Sequence, residues 1–141
     1  MRLRFKNFQP EGKAHMTAHL EMKILVVDDI PTMRKHVINI LFDLGFKNIV
    51  EAENGATAIS MVEAGKIDFV ITDWNMPEMS GLDLLKAIRS NASKEELPVL
   101  MVTAEDLQQN IIQAARAGVN HYIMKPFDAK TLAAKIERIF R

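Results

Sequence analysis

Three aspartates, a threonine and a lysine each stand where an apolar run of this chain stops. Asp28 and Asp29 follow Ile24–Val27, and Asp73 follows Phe69–Thr72. Thr103 follows Val99–Val102, and Lys125 follows His121–Met124. Carboxylates brought together repel one another unless positive charge compensates. A hard dication such as Mg²⁺ takes oxygen ligands and keeps several waters, often beside phosphate oxygens. A lysine supplies fixed positive charge, and a threonine hydroxyl can donate to a phosphoryl oxygen. An aspartate can act as a nucleophile and become an aspartyl phosphate. Phosphoryl transfer needs mainly positioning and charge neutralisation, so this set suits it. Taken singly, each residue has a plainer reading. An Asp after a strand is usually a helix cap or turn residue, Thr103 a cap, and Lys125 a solvated charge. As a group at one edge they exceed what caps require.

Whether they share an edge depends on the elements that carry them. Short apolar runs at Ile24–Val27, Asn48–Ala52, Phe69–Thr72, Val99–Val102 and His121–Met124 alternate with longer segments of helical spacing. The first, third and fourth runs are nearly continuous in large apolar residues, as strands covered on both faces are. The helical stripes read Met33, Val37, Leu41, Leu44; Ala58, Ile59, Met61, Val62; Leu82, Leu84, Leu85, Ile88; Ile111, Ile112, Ala115; and Leu132, Ile136, Ile139, Phe140. Pro31 suits a first helical turn. Gly45, Gly65 and Gly118 stand where helices should stop. Ser80-Gly-Leu-Asp83 reads as a capping box and Asp128 as an N-cap. Lys125-Pro126 raises the chance of a cis bond. Five βα units in series imply an α/β fold with a doubly wound five-stranded parallel sheet. In such sheets ligands bind outside the carboxyl ends of the strands. The second run ends in Ala52-Glu53-Asn54 and adds nothing evident there.

Composition narrows the class. The chain has 141 residues, enough for one domain with a true core, with 48% hydrophobic and 26% charged residues. Its 18 basic and 18 acidic residues balance, which argues against nucleic-acid binding. There is no cysteine, so disulfides and thiolate metal sites are excluded, and the four histidines share no metal-ligand spacing. No apolar run approaches the roughly 18 residues of a membrane helix. Residues 1–21 mix charges, Pro, Gly and His without a steady period and are expected to be a tag-derived or disordered leader. Residues 22–141 are expected to form the domain.

The ordered set "VVDD", "TDWNMPEMSG", "VTAE" and "KPF" closely resembles a response-regulator receiver domain, over residues 23–141 and without an apparent gap. Within that family it is most similar to the single-domain chemotaxis members. The resemblance implies a flavodoxin-like (βα)5 fold with strand order 2-1-3-4-5. It implies that Asp73 accepts the phosphoryl group, and that Asp28, Asp29, Asp73 and the backbone carbonyl of Asn75 hold Mg²⁺. Lys125 would contact the phosphoryl group. Thr103 and Tyr122 would form the switch pair, although Tyr122 alone reads as a half-buried strand aromatic. Asn75 and Glu105 would tune dephosphorylation toward a short-lived phosphoryl group. The partners implied are a chemotaxis histidine kinase, the flagellar motor switch and, optionally, a phosphatase. The setting implied is the cytoplasm and the state a monomer. Such a protein is a signalling switch that promotes its own Mg²⁺-dependent phosphorylation and dephosphorylation, not an enzyme.

Several positions depart from the chemotaxis pattern. Ile30-Pro31 adjoins the metal-binding acids, Ser80 replaces a usual Asp, and Leu107-Gln108 stands where close relatives often carry two lysines. The last two residues bear on partner identity, so a relative acting as a phosphate sink or phosphorelay intermediate is the alternative. An aspartate-nucleophile phosphohydrolase would need a second acid where Asn75 stands. A flavin carrier would need a phosphate-cradling loop where Asp28 and Asp29 stand.

Overall fold

The computed structural model describes residues 19–104 and 108–141. Five strands form one parallel sheet in the order β2-β1-β3-β4-β5, as the family resemblance implies. They are β1 (Lys23–Val27), β2 (Asn48–Ala52), β3 (Phe69–Asp73), β4 (Val99–Thr103) and β5 (His121–Met124). Five helices alternate with them: α1 (Pro31–Asp43), α2 (Gly55–Glu63), α3 (Gly81–Ser90), α4 (Gln108–Arg116) and α5 (Ala129–Phe140). A single 3-10 turn, Ala92–Lys94, lies between α3 and β4.

Burial explains which strands are central. β3 and β4 are buried throughout and β1 nearly so, whereas β2 is buried only at Ala52 and β5 only at Ile123. Strand side chains alternate between faces, and the helices cover both. One core gathers Ile24, Val26, Phe69, Ile71 and Leu100 under Leu41 of α1 and Leu132 and Ile136 of α5. The other gathers Leu25, Val27, Val70, Val99 and Met101 under Val62 of α2 and Leu84, Leu85 and Ile88 of α3.

The expected punctuation is present. Pro31 opens α1, Ser80 and Asp83 form a reciprocal capping box on α3, and Asp128 accepts from Thr131 N at the start of α5. Gly45, Gly65 and Gly118 each have positive φ after a helix, and Lys125-Pro126 is cis. α4 departs from its expected stripe. Ala114 is its buried residue, while Ile112 is 41% exposed. Of the expected stripe, Ile111 is half-buried while Ile112 and Ala115 are exposed, so the buried face passes through Ala114 instead of Ala115.

Of the expected leader, residues 1–18 lie outside the described residues. Residues 19–21 sit against the fold: Leu20 packs on the first core, and Glu21 O accepts from Asn48 Nδ2 at 2.8 Å. Among the described residues no helix is long and apolar enough to cross a membrane.

Candidate phosphoacceptor and metal site

The site is built by carrying the strand ladders one residue past the strands. Asp28 N donates to Ala52 O at 3.2 Å, Trp74 N to Val102 O at 2.8 Å, and Lys125 N to Thr103 O at 2.8 Å. The residues that follow β1, β3 and β5 therefore inherit the register of the sheet. Strand alternation and the parallel topology then turn Asp28, Asp73 and Lys125 toward one another.

The carboxylates of Asp28, Asp29 and Asp73 offer oxygens that all lie within 4.8 Å of one another. Asp28 and Asp73 are buried, and Asp29 is half-buried. Lys125 Nζ lies 2.6 Å from Asp73 Oδ1. Removal from water pushes the Asp73 carboxyl above the ordinary carboxylate range. Its bond and attraction to Lys125 oppose that shift, and the N–H of Asn75 also donates to it. Burial likewise raises Asp28, assisted by the Asp73 charge and opposed by the Ile30 N–H, which donates to Asp28 Oδ1 at 3.0 Å. Asp29 Oδ1 is a buried acceptor that no donor among the described residues reaches. An unpartnered buried acceptor is costly, and a cation facing it would satisfy it. A close cluster of hard oxygens containing one such acceptor fits Mg²⁺.

The other expected residues fall around this centre. Thr103 is buried at the end of β4 and pairs with Met124, next to Lys125. Tyr122 is half-buried on β5, two residues before Met124, with Lys135 Nζ 5.3 Å from its ring centroid. Asn75 is exposed and two residues from Asp73. Trp74 partly covers the second core beside the site. Glu105 lies outside the described residues, as does Leu107. His36 is exposed on α1.

Three supports were not read from the sequence. Thr72 Oγ1 donates to Asp73 O at 3.0 Å within the sheet. Gly81 N donates to Trp74 O at 2.8 Å, and a Cβ on Gly81 would stand 3.0 Å from Trp74 Cα, 2.8 Å from Met101 Sδ and closer still to Asp73 O. α3 thus starts with its backbone pressed on the backbone of the central acid, which only glycine permits. Arg34 Nη1 donates to Asp28 O, and Arg34 Nε pairs with Glu51 of β2, each at 2.6 Å. The second strand therefore does reach the site. The Ser80-Gly81 signal was visible as a helix start. The Arg34 contact joins residues from separate elements and left no local trace.

A fold of this order with such a cluster defines a class. Residues 24–137 match the response regulator receiver domain, and the chain belongs to that family, whose members are phosphoaccepting signalling switches rather than classical enzymes. Its relatives include the chemotaxis protein CheY of Pseudomonas aeruginosa, 56% identical over 119 residues, which are 84% of this chain and 96% of that protein. The chemotaxis protein CheY-3 of Vibrio cholerae is 58% identical over 119 residues, 84% of this chain and 92% of that protein. Among solved structures, the chemotaxis response regulator CheY4 of Vibrio cholerae superposes with a TM-score of 0.78 at 30% identity, covering 84% of this chain and 98% of the other.

Proposed function

We propose that this protein is a chemotaxis response regulator that takes a phosphoryl group onto Asp73 from a phosphohistidine of a chemotaxis kinase. The observation that carries the reading is the buried Asp73 carboxylate, paired with Lys125 at 2.6 Å and clustered with Asp28 and Asp29. An Asp73 carboxylate oxygen attacks phosphorus as the bond from phosphorus to the donor imidazole nitrogen breaks, and that nitrogen keeps the electron pair. Lys125 offsets charge on the phosphoryl oxygens, and the Thr103 hydroxyl donates to one of them. Asp28, Asp29, Asp73 and the Asn75 carbonyl would hold Mg²⁺, which neutralises charge on the incoming oxygens when bound.

Phosphorylation moves the negative charge from the Asp73 carboxylate to the phosphoryl oxygens, and Lys125, its partner at 2.6 Å in the unphosphorylated site, follows that charge. Thr103 then moves toward the phosphoryl group, and Tyr122 turns inward. Asn75 and Glu105 set the approach of the water that removes the group. The reader of the switched face is the flagellar motor switch, in the cytoplasm, with the protein acting as a monomer. Identities of 56–58% to chemotaxis proteins over 84% of the chain support this choice of pathway.

Trp74 fluorescence tests the site. Mg²⁺ followed by a small phosphodonor should quench it, and Asp73→Asn should abolish the phosphodonor step. An unchanged signal in both proteins would sink the reading. Pull-down on a motor-switch peptide with and without a phosphoryl mimic tests the output. Phosphorylation without motor binding would identify a phosphate sink or relay intermediate.

A further inference from the structure

The metal-binding loop enters α1 without the usual tie. The N-cap position is Ile30, whose side chain makes no capping hydrogen bond, and Pro31 follows it. A Ser, Thr, Asp or Asn at such a position would accept from the first helical N–H groups and fix the entry angle of the chain. We propose that Arg34, held by Glu51, replaces that tie and acts as the positioning residue that aims Asp29 at the cation. The inference rests on the cation reading given under Proposed function.

The argument is one of geometry. Arg34 Nη1 donates at 2.6 Å to the carbonyl oxygen of Asp28. That oxygen belongs to the peptide group joining Asp28 to Asp29. A peptide group is planar, so fixing the direction of its carbonyl fixes the plane that carries the Asp29 nitrogen. This constrains where the Asp29 side chain projects, and Asp29 is the acid whose Oδ1 is buried without a donor among the described residues. The same guanidinium reaches Glu51 Oε1 through Nε at 2.6 Å. Glu51 lies on β2 opposite Val26 of β1. One planar fork thus links α1, the acid loop and the sheet edge. Its charge is met by Glu51, so what it gives the loop is orientation. Two other bonds hold Asp28: its N to Ala52 O, and its Oδ1 from Ile30 N. Neither of these grips the peptide plane leading to Asp29 from the carbonyl side.

The test is Mg²⁺ affinity, read by Trp74 fluorescence and by calorimetry, beside the unfolding midpoint without metal. Groups that orient metal ligands typically change affinity by 10–100-fold when removed. Arg34→Ala should weaken Mg²⁺ binding about tenfold, the low end of that range, because it acts through a main-chain atom. Arg34→Lys keeps the charge but lacks the fork, so it should show most of the same loss. Arg34 is only 15% exposed and Glu51 45%, so Arg34→Ala should lower the metal-free midpoint somewhat, whereas Glu51→Ala, at the exposed end, should leave it little changed. That split separates positioning from general support. Wild-type affinity in Arg34→Ala would overturn the proposal, as would wild-type affinity in Arg34→Lys. If Arg34→Ala fails to fold, Glu51→Ala at the exposed end of the pair carries the test. A smaller loss of affinity supports the proposal, and none overturns it. A wild-type protein with no saturable response to Mg²⁺ would remove the cation reading and this inference together. Equal binding by wild type and variants would remove this inference alone.

Discussion

α3 and α4 flank the same central strand and are built on opposite terms. α3 buries Gly81, Leu84, Leu85 and Ile88, is capped reciprocally at its start, and rests on the main chain of Asp73 and Trp74. α4 buries only Ala114 and leaves Ile112 exposed, and the neighbouring β5 buries only Ile123. The acid centre is therefore held by a packed half of the molecule. Thr103 and Tyr122 lead toward a half with less apolar surface to hold it in one arrangement. Regions with few buried contacts reorganise at lower free-energy cost. A switch needs both kinds of region, a fixed place for the reaction and a face that can respond.

The largest expected contrast is in stability. Leu84→Ala should cost about 2–5 kcal/mol, as buried leucines do. Ile112→Ala should stay within about 0.5 kcal/mol. Denaturant unfolding of the two variants checks this, and equal losses would break the contrast between the helices. Next comes the cation. Saturating Mg²⁺ at a hundredfold excess over its dissociation constant should stabilise the protein by about 2.7 kcal/mol, and a chelator should reverse the shift in thermal midpoint. Absence of any shift would remove the metal from the packed half. Smaller still is the cap: Ser80→Ala should cost about 1 kcal/mol, measurable as a lower midpoint in urea.

The smallest effect distinguishes the two halves by pH. Burial holds Asp28 and Asp73 above their ordinary range. Without metal, their contribution is fully present below the unfolded carboxylate range and is lost as pH rises through their raised values. His121 on β5 behaves oppositely. Burial lowers it, helped by Lys135 and Arg138 of α5 and opposed by its bond to the Tyr122 backbone. Its contribution is present above the ordinary histidine range and is lost as pH falls through its lowered value. His121→Gln should flatten the slope of the unfolding midpoint just below neutral pH and leave the acid-range slope unchanged. An unaltered profile would assign that slope to other groups.

Much of this was legible in the residues. The continuous apolar runs marked the central strands, because strands covered on both faces need no polar alternation. The rule that such sheets bind ligands at their carboxyl edge then gathered Asp28, Asp29, Asp73, Thr103 and Lys125 without coordinates. Less was legible where small residues and long contacts decide. Ala114 is the buried residue of α4, but alanine carries little hydrophobic signal beside two isoleucines. Arg34 and Glu51 sit on different elements, and no local pattern announces that a guanidinium on one helix grips a carbonyl in the preceding loop. β2 looked silent for the same reason: what it gives the site is a main-chain acceptor, Ala52 O, and one long-range carboxylate.

The close seating of Gly81 on Asp73 and Trp74 also bears on what variation the chain can bear. Were positions 75–82 randomised and the library selected for a phosphodonor-dependent Trp74 signal, the exposed positions Pro77 and Glu78 would drift. Position 81 would return glycine almost alone, because even one added carbon meets the main chain of Asp73. The most constrained letter near the acid would then be one with no side chain at all.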